Sequence, residues 1–520
     1  MNMHNDPQAA AEALLSRAML PSLLIDKGDL PAAVKAAAEM LAATGLIFNQ
    51  GGFLVRIHNE PGEAVRAVPV THHAVTMWAH ELCRPVSLDD KGHEKPVTFP
   101  ERAAKMLVDA VSMFPPLDGI ATAPLLAPNG GIRSHEGYDP ATRLYCARAP
   151  RVNVPERPSR AVAEAALLKI RQMFASFPFA GSQRITAGEL DRVDLGLHPG
   201  EAESAYLAAL LTAICRPSLT LAPGAIITAP EISGAGSGKG LLVQAACNIA
   251  YGQHPPAFTA GSDKAELEKR IASELLQSGP AFFLDNVNGT ALKSDTLASV
   301  ITERPARVRV FGETRMAELN STAWIAVTGN GLTISEDLAR RFLGVELEPN
   351  CDDPEARDFP QGRDGFLAEI KGRRAELLSA ALTIWRWGRQ NEMKRGKPLG
   401  SFETWAEWVR DPLLTLDCRD PVEAIAKAKA RDPFRLRVSE LFEAWWQEHR
   451  TAPMKIAELH DSVRSIADPQ GRGRQYMATF IGKLSGTRAA GFMLVRQDAA
   501  GARKNGATYQ LRKIEGGHNA

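Results

Sequence analysis

The sequence predicts an α/β protein whose central domain is a parallel sheet covered by helices. Three observations predict it. Gly224–Ala229 (GAIITA) is a compact apolar run, followed by a glycine-rich stretch and then a helix-forming segment. Ala281-Phe282-Phe283-Leu284-Asp285-Asn286 is a second apolar run, ending in an acid. Between them and on to Val345, strand-like and helix-like segments alternate, the pattern of parallel strands joined by crossover helices.

Length and composition bound what surrounds that domain. At 520 residues the chain exceeds one ordinary core, so several domains are expected. Its 45% apolar and 23% charged content is that of a globular protein, neither disordered nor fibrous. A net charge of +1 provides no global field, so any contact with a polyanion must come from local basic patches. The six cysteines are scattered without a Cys-x-x-Cys pair, which fits free thiols in a reducing compartment. Met1–Gln8 is polar and carries Asp6, unlike a secretory leader. The longest apolar run, Ala205–Cys215, falls short of the roughly 18 residues that span a bilayer. A cytoplasmic protein with no membrane partner is expected.

Punctuation along the chain divides it into five parts. Residues 1–150 mix short helices (Ala32–Ala43, Thr71–Cys83, Glu101–Val111) with strands such as Gly52–His58, an α+β domain closed by a turn-rich stretch. Residues 151–220 hold a proline-rich linker and two helices, Arg160–Phe177 and Glu201–Cys215. Residues 221–358 are the α/β domain, 359–450 a helical segment, and 451–520 a basic C-terminal domain.

In the α/β domain the strand Gly224–Ala229 runs into Ser233-Gly234-Ala235-Gly236-Ser237-Gly238-Lys239-Gly240 and a helix over Leu241–Ala250, stopped at Gly252. Strand, glycine loop with lysine, then helix is what a phosphate cradle requires. Glycines let N–H groups turn toward phosphate oxygens, the helix N-terminus adds partial positive charge, and Lys239 reaches the β- and γ-phosphates. The loop departs from the usual P-loop twice: Ser233 stands at the first glycine, and Gly240 stands where a Ser/Thr hydroxyl ligates Mg²⁺. ATP binding is expected, with hydrolysis slowed. Asp285 ends a Walker B-type strand and is the candidate Mg²⁺ ligand. Asn286 follows where many such ATPases carry a glutamate; an amide positions water but cannot take its proton. Strand Ala323–Val327 ends in Thr328-Gly329-Asn330, whose Asn330 suits a sensor of γ-phosphate. Arg340 and Arg341, within a predicted helix Glu336–Phe342, suit an arginine finger for a neighbouring subunit.

This ordered set resembles AAA+ ATPases, specifically the superfamily 3 and poxvirus-type primase-helicase modules of phages and mobile elements. Phe114-Pro115-Pro116-Leu117, Gly137-Tyr138-Asp139-Pro140 and Phe177-Pro178-Phe179 also resemble that group. The resemblance implies hexameric homo-oligomeric rings that translocate on DNA in replication. It also gives a meaning to Ala306–Val310, Phe311–Thr314 and Arg315, which read as a hairpin between Walker B and the sensor strand. In that group such a hairpin enters the ring channel, where Arg309, Phe311 and Arg315 would grip single-stranded or forked DNA; a structural hairpin with solvated arginines is the alternative.

Residues 451–520 carry eleven Lys/Arg against five Asp/Glu. Helices Ile456–Ala467 and Arg474–Leu484, then strands Phe492–Arg496 and Ala507–Arg512, match a winged-helix order. Its DNA-contacting candidates are Arg472, Arg474, Lys483, Arg503 and Lys504. His72, His73, His80 and Cys83 share a helix with Trp78 and Leu82 and lack a second metal-ligand pair, so packing accounts for them. The tryptophans at 385, 387, 405, 408, 445 and 446 read as helix-packing core. The expected function is an ATP-dependent DNA helicase or translocase. The alternatives are a nucleotide-gated DNA-binding ring or loader with slow hydrolysis, and a regulatory or defence ATPase with a protein partner.

Overall fold

A computed structural model describes residues 19–61, 63–187, 190–231, 234–254, 256–259, 263–277, 279–288, 292–310, 316–332, 334–351, 354, 362–423, 425, 433–497 and 507–514. These fall into two compact units: one within 1–290, 294–332 and 341–424, the other within 291–293, 333–340 and 425–520.

In the first unit, the N-terminal part is α+β. Helices Leu30–Ala43, His72–Leu82 and Glu101–Asp109 enclose a core that includes Val34, Leu41, Val75 and Leu107. Asp29 caps the first helix by accepting the Ala32 N–H at 3.2 Å, and Thr71 caps the second through Ala74. Three small three-stranded sheets and a two-stranded one complete it, the sheet of Ile47–Gln50, Phe53–His58 and Arg66–Pro69 being antiparallel. His80 accepts the Phe99 N–H and the Cys83 thiol donates to the Ala79 carbonyl, so both serve this core. Gln50 donates to the Leu276 carbonyl and Asn320 to Asp118, tying this part to the sheet domain.

Helix Glu201–Cys215 is buried on every side after its first residue, which explains its unbroken apolar run. Its buried Glu203 pairs with Arg171 at 2.7 Å, and Arg171 also donates to the Leu197 carbonyl. The sheet domain has five strands: β1 (Gly224–Ala229), β2 (Phe258–Thr259), β3 (Ala281–Asp285), β4 (Trp324–Asn330) and β5 (Phe342–Glu346). All pairings are parallel and the order is β2-β3-β4-β1-β5. Helix α1 (Lys239–Tyr251) follows β1 and ends at Gly252, whose φ of 75° is the left-handed cap that glycine favours. Arg374 closes that helix end, donating to the carbonyls of Ile249 and Ala250 as well as to Thr122.

Helices Gly362–Gly372 and Arg374–Gln390 continue the unit. Trp385, Trp387, Trp405 and Trp408 are buried; Trp385 and Trp408 rings lie 5.5 Å apart, and Trp405 donates to Thr212. The tryptophan belt is core. Cys83, Cys146, Cys215, Cys247 and Cys418 are buried free thiols, and Cys351 is exposed. Among the described residues no helix is long and apolar enough to cross a membrane, and no group of three or more His, Cys, Asp or Glu is placed to hold a metal.

The second unit contains helices Pro433–His449, Asp461–Ala467 and Arg474–Lys483, then an antiparallel sheet of Arg488–Ala489, Phe492–Gln497 and Thr508–Lys513. Val438, Leu441, Phe442 and Trp445 of the long helix pack with Leu459, Val463, Ile481, Leu494 and Leu511. That helix therefore shares the C-terminal core. The predicted helix Glu336–Phe342 is shorter than expected: it ends at Ala339, because Phe342 enters β5 and pairs with Gly224.

Candidate nucleotide site

The site is built at the carboxyl ends of β1, β3 and β4, where an open parallel sheet presents its ligands. β1 ends at Ala229 and pairs with Asn330 of β4; β3 ends at Asp285. The loop from 234 to 238 then turns into α1. Gly236 and Gly238 have φ of 68° and 96°, backbone that glycine adopts without penalty. Gly234 is required for a different reason. A Cβ there would meet the Pro230 carbonyl at 2.1 Å and the Asn330 Oδ1 at 2.6 Å. Ser233 lies outside the described residues.

Lys239 opens α1 and folds over the loop, its ammonium donating to the Gly234 carbonyl at 2.6 Å and to Ser237 Oγ at 3.1 Å. Burial pulls its pKa below the ordinary lysine value, and the Asp285 carboxylate opposes that shift. Ser237 is buried and donates to the same Gly234 carbonyl at 2.8 Å. Asp285 accepts a short hydrogen bond from Thr328, a buried residue of β4. Asn286 has φ of 60°; its N–H donates to Thr328 Oγ1 at 3.3 Å, and its side-chain carbonyl accepts from Asn288 at 2.6 Å. Asn288 in turn accepts the Asn330 N–H at 2.7 Å. The Asn330 Oδ1 is buried with no hydrogen-bond partner among the described residues.

Gly234, Gly236, Ser237, Gly238, Lys239, Asp285 and Asn330 are thus brought together. Sequence reasoning missed Thr328 and Asn288, which orient Asp285, Asn286 and Asn330. Their only signal was position beside named residues. The structure also explains Asn286 itself: asparagine tolerates a left-handed backbone that glutamate resists. At Gly240 the nearest atom to an added Cβ is Phe283 Cζ at 3.8 Å, an ordinary contact.

The two arginines separate. Arg341 is buried; its carbonyl accepts the Gly224 N–H and its side chain donates to Thr302. It is a structural residue of β5's entry, not a projecting finger. Arg340 belongs to the second unit, with its side chain 55% exposed and paired to Asp337 at 2.9 Å. The predicted hairpin is present as antiparallel Ala306–Arg309 and Met316–Leu319. Ala306 and Val308 face inward, while Arg307 and Arg309 are exposed and Arg307 pairs with Glu318. Phe311 and Arg315 lie outside the described residues. In the second unit Arg472, Arg474 and Lys483 are exposed; Arg503 and Lys504 lie outside the described residues.

The residues fit ATP with Mg²⁺: a cradle that a Cβ would fill, a lysine, one carboxylate and a buried acceptor that meets no donor among the described residues. A lone carboxylate suits Mg²⁺, which takes few protein ligands and completes its shell with phosphate oxygens and water.

No known protein-family profile matches the chain, and no curated protein matches it. Among solved structures, the JCV helicase is 15% identical over 47% of this chain and 62% of its own, with a TM-score of 0.22. This chain thus spans under two thirds of that helicase chain. SCCmec type IV Cch, described as an active helicase, is 9% identical over 87% of this chain and 86% of its own, with a TM-score of 0.25. At such identities and TM-scores neither likeness decides a function, and the weight falls on this chain's own residues.

Proposed function

We propose that the chain is an ATP-dependent DNA translocase, a helicase of the AAA+ superfamily 3 type, working as a ring in the replication of a phage or mobile element. The observation that carries the ATPase reading is the convergence of Lys239, Asp285 and Asn330 on the carboxyl ends of three neighbouring parallel strands. ATP would supply the γ-phosphoryl group that passes to water with ADP as the leaving group, and Mg²⁺ would neutralise charge on the phosphate oxygens. Lys239 would exchange its bonds to Gly234 and Ser237 for phosphate oxygens. Asp285, oriented by Thr328, would hold the metal, and Asn330, fixed through Asn288, would position water. Arg340 is the remaining candidate to complete a neighbour's site.

DNA enters this reading through the exposed Arg309 on the hairpin and through the C-terminal unit. Its helix order and antiparallel sheet support a winged-helix-like module. A second reading, a nucleotide-gated ring or loader with slow turnover, is favoured by one observation. Asn286 stands in the glutamate's place on a left-handed backbone, so no carboxylate takes the water's proton there.

The test is ATP turnover of the wild type with and without single-stranded DNA, together with unwinding of a forked duplex. Stimulated turnover with unwinding supports the helicase; tight DNA binding without unwinding selects the loader. Lys239→Ala is expected to lose nucleotide binding while keeping its circular-dichroism spectrum. Wild-type nucleotide affinity in that variant would remove the P-loop assignment.

A further inference from the structure

We propose that the C-terminal unit carries a stacking site for unpaired bases of single-stranded DNA, formed by Tyr476, Phe480 and Phe434. The proposal rests on reading that unit as a DNA-binding module and names the form of DNA it takes. Tyr476 and Phe480 lie one turn apart on helix Arg474–Lys483, their rings within 3° of parallel and 6.3 Å between centroids. Phe434 meets Phe480 edge-on at 6.2 Å and is 55% exposed. Cations flank this column. The Arg472 guanidinium lies over the Tyr476 ring, 5.0 Å from its centre, and that of Arg437 lies over Phe480 at 4.5 Å. Arg437 also donates to the Ile466 and Ala467 carbonyls, so it buttresses Phe480 from a fixed position. Lys483 continues the same helix face and is exposed. Asp468, in the preceding turn, accepts the N–H groups of Arg472 and Gly473 and so is engaged in shaping that turn.

A ring's face is satisfied by another face. In a duplex the base faces are covered by their neighbours, the grooves offer edges, and the outside offers phosphate. A duplex docked on this column would press hydrated phosphates against Phe434 and Tyr476. An unpaired base has a free face for the ring and takes the place of the exposed Arg472 guanidinium over Tyr476, leaving Arg472 and Lys483 to its phosphates.

The experiment uses the full chain and a short oligothymidylate carrying one 5-iododeoxyuridine, irradiated either single-stranded or within a blunt duplex, with the crosslinked peptides mapped. A crosslink within residues 474–483 from the single strand, and not from the duplex, is expected. Tyr476→Ala should weaken single-strand affinity roughly tenfold and leave duplex affinity unchanged, while Tyr476→Phe keeps both. Lys483→Ala should weaken both forms and flatten their salt dependence. Equal crosslinking from the duplex, or equal loss of both affinities in Tyr476→Ala, overturns the stacking site while leaving DNA binding in place. If the wild type binds neither form at low salt, the DNA reading itself fails, and the stacking site with it.

Discussion

The candidate nucleotide site and the C-terminal unit place their chemistry in opposite settings. The first is assembled at strand ends where the buried Ser237 and Thr328 are hydrogen-bonded inside the protein and the buried Asn330 Oδ1 meets no donor among the described residues, so a misplaced polar atom there has no water to turn to. The second is a small core whose candidate functional groups, Arg472, Arg474 and Lys483, stand in solvent. A buried site fails when one atom is misplaced. An exposed basic face fails gradually, one phosphate contact at a time, and its strength follows salt. Substitutions in the two regions should therefore differ in kind as well as in size.

The largest effect is expected at Gly234. Gly234→Ala drives a methyl group into backbone at 2.1 Å and into Asn330. Nucleotide affinity should fall by well over tenfold, with a lower melting temperature. Calorimetric titration with ATP checks this, and unchanged affinity would mean the loop opens away from β4 when nucleotide binds.

Truncation of the C-terminal unit should act more gradually, and its outcome depends on where the cut falls. Removing 425–520 should lower DNA affinity and flatten the slope of log affinity against log salt, with each lost phosphate contact changing that slope by about 0.7 to 0.9. Cutting at 451 instead leaves Val438, Leu441, Phe442 and Trp445 without the rest of their core, and that product should aggregate. Light scattering separates the two cuts. Equal solubility would show that helix Pro433–His449 does not need this core.

A smaller, favourable change is expected at Gly240. A Cβ at Gly240 meets Phe283 at an ordinary van der Waals distance, so Gly240→Ser removes a glycine costing about 1 kcal/mol in a helix and supplies the absent hydroxyl. Mg²⁺ affinity should rise, and turnover with it, measured by metal titration of the ATPase. Loss of turnover in this variant would require a different metal arrangement.

The smallest effect should come from Asn286→Glu. A left-handed residue disfavours glutamate by about 1–2 kcal/mol, so thermal stability should drop slightly while Asn286→Gly does not lower it. Should Asn286→Glu instead raise turnover with no loss of stability, backbone geometry is not what excludes glutamate here.

Local signals carried much of the site. Gly224–Ala229 and Glu201–Cys215 have the bounds their sequences predict, because a mainly apolar run closed by proline or glycine (Pro223 and Pro230; Gly200 and Pro217) leaves few alternatives. The acid ending the Phe282–Leu284 run and the asparagine after Thr328-Gly329 were legible for the same reason: each terminates a buried strand. Arg340 and Arg341 were not separable in this way. They are adjacent and chemically identical, and only the entry of Phe342 into β5 buries one and leaves the other exposed.

By itself, then, the sequence determined the elements and the glycines, acids and lysine that end them, since these depend on neighbours within a turn or a strand. The tertiary structure decided what lies between distant segments. It set the β2-β3-β4-β1-β5 order that brings Ala229 beside Asn330, and the Thr328 and Asn288 bonds that orient the site. It also joined helix Pro433–His449 to the C-terminal core. Such pairings are selected by the fit of whole buried faces, and no short stretch of chain contains that information.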